Sequence, residues 1–274
     1  MSLAAGGPLL LIGCGKMGGA LMAGWLAGGL SGDSVTVVEP NPEAAALAAA
    51  KGVTVLGEVA QVPPDLEPVV VMLAVKPQQM DAILPSLAPF VGPDTVFLSI
   101  AAGTTIGYFA EQLGAEAVIV RAMPNTPAAV GRGMTVLVAN PRASGAQRDL
   151  CGALLSAVSE VAWVEDEALL DPVTAVSGGG PAYVFLLIET LAQAGIEAGL
   201  PEELALRLAR VTVAGAGELV HRSDEPASVL RENVTSPGGT TLEALKVLMA
   251  PDGLQPLMTR AIAAATRRSR ELAS

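Results

Sequence analysis

Along its first half the chain alternates short apolar, β-branched runs with longer stretches whose apolar residues recur at helical spacing. The runs fall at residues 9–12, 35–39, 53–56, 69–75, 96–99 and 118–121. Helical stretches at 17–28, 42–51, 78–87 and 106–113 lie between several of them. Strands that alternate with helices predict a parallel sheet with helices on both faces. The run over residues 69–75 reads Val-Val-Val-Met-Leu-Ala-Val, with no polar side, and suits a strand covered on both faces. Residues 134–139 and 161–164 predict additional edge strands, with a helix over 144–155 between them.

Beyond about residue 166 only helical patterns remain, which divides the chain into an α/β part, 1–165, and an all-helical part, 166–274. Pro181 suits a first helical turn. Between residues 182 and 198 the strongly polar positions are Glu189, Gln193 and Glu197, one thin stripe on an otherwise apolar cylinder. Such a helix needs cover nearly all round. One small helical domain can hardly supply it, so the expectation is a homo-oligomer with intertwined helices. Helices over 202–221, 240–249 and 253–272 complete this part.

Composition narrows the function. Of 274 residues 51% are hydrophobic and only 3% aromatic, so the core must be built from Ala, Val and Leu. The net charge is −11, with no Lys/Arg run to neutralise phosphates, which argues against a nucleic-acid partner. Cys14 and Cys151 are unpatterned, which argues against a disulfide framework or a metal site. His221 is the single histidine and reads as a surface residue or cap rather than a base. Residues 1–8 lack the basic start of a secretory signal. Residues 9–30 are apolar enough for a membrane span, but Lys16 and repeated glycines fit strand, loop and helix better. The expected setting is cytoplasmic and reducing, with no membrane partner.

The candidate chemistry begins where the first run stops. Gly13-Cys14-Gly15-Lys16-Met17-Gly18 spaces three glycines as G-x-G-x-x-G between a strand and a helix. The first allows a tight turn, the second lets backbone approach a pyrophosphate, and the third lets helix pack on strand. An acidic residue is then expected about 20 residues on, at the end of the second strand, to hold ribose hydroxyls. Glu39 stands there, followed by Pro40-Asn41-Pro42 with no arginine, which tilts the cofactor toward NADH over NADPH. Ala74-Val75-Lys76-Pro77 ends another strand at the same edge, where Lys76 can reach ribose or phosphate. Asn125, stiffened between Pro124 and Pro127, is placed to offer its amide to nicotinamide or substrate. In the helical part, Ser177-Gly178-Gly179-Gly180-Pro181 and Thr235-Ser236-Pro237-Gly238-Gly239-Thr240-Thr241 each open a helix. Their free N–H groups suit a small carboxylate. Thr240 and Glu243 have capping-box spacing. None of the four lysines, Lys16, Lys51, Lys76 and Lys246, lies at residues 177–185, where the base of an alcohol dehydrogenase would sit. Imine reduction asks less: a protonated C=N takes hydride directly, so the protein mainly orients and anchors.

At these residues the chain resembles the pyrroline-5-carboxylate reductase family, over nearly its whole length. The resemblance rests on residues 12–18, 74–77, 99–103, 121–127 and 177–183, and on Asn233-Val-Thr-Ser-Pro-Gly-Gly-Thr-Thr-Leu-Glu-Ala244. It implies an N-terminal Rossmann dinucleotide-binding domain and a C-terminal helical dimerisation domain. It implies NADPH- or NADH-dependent reduction of Δ1-pyrroline-5-carboxylate to L-proline by dimers, often assembled into decamers. Carried onto this chain, the cofactor residues are those named above together with Ala101. The substrate residues are Val176 and Ser177 through Gly180, then Asn233, Ser236, Gly238, Gly239, Thr240 and Thr241. Thr241 would hydrogen-bond the ring nitrogen, and the turn before it would hold the carboxylate. Two positions depart from the family: Glu39, since NADPH is the common family choice, and Gly179, where a serine is usual. A β-hydroxyacid dehydrogenase would need a lysine that is missing here. A reductase of six-membered cyclic imines and a non-catalytic dinucleotide sensor stay open as alternatives.

Overall fold

The structure, a computed structural model, describes residues 6–272. Eight strands form one sheet: β1 (Leu9–Ile12), β2 (Val35–Val38), β3 (Thr54–Leu56), β4 (Val70–Leu73), β5 (Val96–Ser99), β6 (Val118–Met123), β7 (Gly133–Ala139) and β8 (Ser159–Trp163). Their order is β3-β2-β1-β4-β5-β6-β7-β8. All neighbours are parallel except β6 and β7. The antiparallel pair departs from the expected parallel sheet for a local reason. Residues 124–132 are too few for the crossover that parallel strands require, so the chain must reverse. That reversal places β7 inside the sheet, paired on both sides, and leaves only β8 of the two expected edge strands at the edge.

Alternation along β1 splits the core between the two faces. Leu9 and Leu11 join Leu21 and Trp25 of α1 (Lys16–Ala27) and Leu154 of α5 (Gly145–Ser156). Leu10 and Ile12 join Leu84 of α3 (Met80–Leu87) and Phe109 of α4 (Ile106–Leu113). Helices therefore cover both faces, and β1 and β4 are buried along their whole length. The helix α2 (Pro42–Ala49) adds Ala48 on the α1 side. Its first turn is capped by Asn41, whose side-chain oxygen accepts from the Glu43 and Ala44 N–H groups.

After β8 the chain forms α6 (Leu170–Val173), a π-helical turn at Thr174–Gly178, α7 (Gly180–Glu197), α8 (Glu202–His221), α9 (Ala227–Asn233), α10 (Thr240–Leu248) and α11 (Leu254–Leu272). The seven-residue α9 is too short for a periodic signal and was not among the predicted helices. Two compact units result: residues 6–178 with 266–272, and residues 179–265. The change in sequence pattern at 165/166 thus precedes the division between the units. Residues 166–178 group with the sheet because Glu167 accepts from Arg121 of β6 and, at 2.7 Å, from the Ile106 N–H at the start of α4. Within the same unit Asp171 accepts from the Ser269 hydroxyl at 2.7 Å. In the second unit α7 and α8 pack as a helical hairpin. Phe185, Leu186, Leu187 and Leu191 of α7 nevertheless stay exposed. Residues 167–197 are long and apolar enough to cross a bilayer by length and composition, although the π turn interrupts them.

Trp25 shows how tightly the first unit is specified. It is fully buried, and its indole N–H donates to the Leu154 carbonyl at 2.8 Å. That carbonyl belongs to the last turn of α5, where carbonyls lack partners within the helix. Trp25→Phe is expected to lower unfolding free energy by about 1–3 kcal/mol, because the carbonyl is left buried and unpaired. Urea unfolding followed by circular dichroism measures this; an unchanged midpoint would contradict it.

Candidate active site

A cleft of about 660 Å³ opens at the carboxyl ends of β1, β2 and β4. Gly13, Gly15, Glu39, Ala74, Val75 and Lys76 all line it. The structure therefore gathers six of the fourteen expected cofactor residues at one place. The three glycines differ in their surroundings. Gly13 has φ +89°, and Gly15 has open space where a side chain would begin. At Gly18 an added Cβ would stand 2.3 Å from the Gly13 carbonyl oxygen, so only glycine lets α1 sit this close to the turn. No side chain caps α1 at Gly15, so the first-turn N–H groups, from Lys16 and Met17 onward, are available to an anion. This cradle fits a dinucleotide pyrophosphate.

Glu39 is the most constrained acidic group of the cleft. Its side chain is almost fully buried; one oxygen accepts from the Cys14 N–H at 2.7 Å and the other from the Asn41 N–H at 2.8 Å. Each oxygen keeps a second lone pair for a ribose hydroxyl. Glu58 lines the same cleft, and Lys76 is the one cation among the lining residues. Burial, and next the charge of Glu39, push the Cys14 thiol up, so it stays protonated at neutral pH. Pro77 opens the short turn after β4, and Ala101 lies buried just beyond β5.

Asn125 sits between β6 and β7 and is half-buried. Its oxygen accepts from the Met134 N–H at 2.9 Å. Its nitrogen faces Ser177, at 3.2 Å from the hydroxyl and 3.4 Å from the carbonyl. Val176, Ser177 and Gly178 belong to the π turn of the sheet-containing unit. Gly179 and Gly180 begin the helical unit and lead into Pro181 in the first turn of α7.

The remaining substrate residues lie together in the helical unit. Asn233 ends α9, and Ser236-Pro237-Gly238-Gly239 turns the chain into α10. The Gly239 N–H donates to the Ser236 carbonyl at 3.0 Å, with Gly238 at φ +66°. This is a type II turn, with proline and glycine at the positions that demand them. The capping box expected from Thr240 and Glu243 does not form. Gly239, extended at φ −82° and ψ 167°, takes the cap position and draws Thr240 into the helix. Glu243 instead accepts from Lys246 at 2.7 Å. The start of α10 thus keeps its free N–H groups, and Thr241 stands exposed on its first turn.

Comparison with known proteins agrees with this geometry. The pyrroline-5-carboxylate reductase dimerisation family matches residues 167–272, and the coenzyme F420-dependent NADP oxidoreductase family matches residues 9–103. The chain is 41% identical to pyrroline-5-carboxylate reductase of Pseudomonas aeruginosa, over 97% of this chain and 96% of that protein. It is 37% identical to the Pisum sativum enzyme, over 95% and 94% respectively. Among solved structures, the Coxiella burnetii reductase superposes with a TM-score of 0.91 at 34% identity, covering 98% of this chain and 99% of that one. The Plasmodium falciparum reductase, with NADP bound, gives 0.80 at 29% identity, covering 97% and 98%.

The glycine geometry predicts two distinct failures. Gly18→Ala should lower both melting temperature and NADH affinity, since backbone must move, at a cost of about 1–3 kcal/mol. Gly15→Ala should leave the melting temperature unchanged and weaken NADH alone. Thermal unfolding and NADH fluorescence titration separate the two; equal affinity in all three proteins would contradict the assignment. A nicotinamide-dinucleotide oxidoreductase fold with this turn into α10 and this likeness along the whole chain makes the protein a member of the pyrroline-5-carboxylate reductase family.

Proposed function

We propose that the chain reduces Δ1-pyrroline-5-carboxylate to L-proline, the final step of proline biosynthesis, with NADH as the preferred donor. The observation that carries this reading is the Asn233–Thr241 segment, where a fixed turn delivers an uncapped helix start and the exposed hydroxyls of Ser236, Thr240 and Thr241. Backbone N–H groups of Thr240 and Thr241, with the Ser236 hydroxyl, hold the substrate carboxylate. Asn233 borders the same turn. The Thr241 hydroxyl bonds the ring nitrogen and so fixes the face that the imine carbon presents. Val176 through Gly180, from the second copy of a dimer, line the ring.

The dinucleotide, when bound, supplies the hydride from C4 of the nicotinamide. Gly13 through Gly18 hold its pyrophosphate, Lys76 and the 74–77 strand end approach its ribose or phosphate, and Asn41 and Ala101 complete the cofactor residues. The nitrogen proton arrives with the iminium form of the substrate or from water; neither residues 176–180 nor residues 233–241 include a lysine or histidine. Glu39 and Glu58 on one cleft favour NADH, because the extra phosphate of NADPH would face two carboxylates. The exposed apolar residues of α7 support a dimer that covers them with a second copy, and such dimers are the unit from which a decamer would be built. A cytoplasmic setting fits this reading.

Initial rates with Δ1-pyrroline-5-carboxylate and each cofactor test the activity. The expected result is turnover with kcat/KM for NADH exceeding that for NADPH, and a narrowed ratio in Glu39→Gln. A wild-type preference for NADPH would contradict the assignment of Glu39. Thr241→Ala should lower kcat/KM for the imine about 10- to 100-fold, the worth of one hydrogen bond to a charged centre, while NADH affinity changes less than twofold. Near-wild-type turnover in that variant would remove Thr241 from its role.

A further inference from the structure

The π turn at Thr174–Gly178 interrupts α geometry between α6 and α7, and it falls on residues that the proposed function gives to the substrate. A π turn is rare and needs support from outside itself. Two contacts support it, one from the end of β6 and one from the loop that follows. The first is the Asn125 amide. The Met134 N–H can only donate, so its 2.9 Å contact fixes the carboxamide oxygen toward β7. The amide nitrogen is thereby aimed at Ser177, at 3.2 Å from its hydroxyl and 3.4 Å from its carbonyl. The second is Met123, whose terminal methyl lies 2.5 Å from where a Cβ on Gly178 would be. Met123 and Asn125 thus seat adjacent residues of the turn, and Asn125 has both ends of its amide engaged within the chain.

We infer that Asn125 is a positioning residue for the imine site: acting through Ser177, it holds the π turn so that Val176 and Ser177 face the ring. It does not contact the nicotinamide. The inference rests on the proposed function for its kinetic consequence only. The hold on the turn is a property of the unliganded chain. Without the amide donor the turn is free to rewind toward i→i+4 bonding, which rotates Ser177 away from its present direction.

The test uses Asn125→Asp, which keeps the acceptor for Met134 but replaces the donor, together with Asn125→Ala and Ser177→Ala. In the unliganded full chain, hydrogen exchange at residues 174–180 should accelerate about tenfold in Asn125→Asp, equivalent to the loss of one or two hydrogen bonds. Exchange at wild-type rate in both Asn125 variants would overturn the inference, whether or not the wild type reduces the imine. In steady state, KM for Δ1-pyrroline-5-carboxylate should rise about tenfold with kcat falling less than threefold and NADH affinity within twofold. A loss of NADH affinity with unchanged imine KM would overturn it in favour of a nicotinamide contact. In the Ser177→Ala background, Asn125→Asp should add less than it costs alone, and full additivity would also overturn it. A wild type without imine turnover but with accelerated exchange in the variants would reject the proposed function and keep the clamp.

Discussion

The Glu39 carboxylate joins the two sides of the dinucleotide cleft. Its oxygens accept from the backbone at Cys14, within the glycine turn, and at Asn41, just before α2. The end of β2 is thereby tied to the turn after β1. An almost buried carboxylate is costly unless it is hydrogen-bonded, and here both oxygens are satisfied. The group that ties the turn together also carries a negative charge into the cleft. A residue chosen for ribose selectivity alone would be free to vary; this one is also part of the turn. Replacing it therefore alters the cradle as well as the preference, which is why Glu39→Gln is more informative than a large change at that position.

Much of this was legible in the sequence. The six strands of the first half and the helices between them follow from apolar runs and helical spacing, and Gly13, Gly15 and Glu39 line one cleft. The failures have local causes. The reversal at β7 depends on the length of a loop, not on any apolar pattern. The capping box at Thr240 failed because Gly239 can adopt the extended cap conformation itself, which moves every later residue one place into the helix. The link between Asn125 and Ser177 joins residues 52 positions apart, beyond the reach of local pattern. Spacing identified both residues as functional, but only coordinates show that they touch.

The helical part presents the opposite balance. The sequence marked the helix after Gly180 as apolar nearly all round, and in the single chain Ala192 is its buried residue, with Phe185 and Leu187 more than half exposed. A surface of that kind is stable in water only when covered. The match of residues 167–272 to a dimerisation family supplies the natural cover, a second copy of the chain. The same region carries the Ser236–Thr241 turn, so that turn and the exposed apolar face of α7 share one helical unit.

The central claim is that hydride passes from NADH to the imine carbon of Δ1-pyrroline-5-carboxylate on this protein. NADH dideuterated at C4 of the nicotinamide tests it most directly, with the proline product read by NMR and mass spectrometry. The account predicts proline carrying a single deuterium, on the ring carbon that was the imine carbon. Proline without deuterium, or deuterated cofactor that binds and is never consumed, would contradict it.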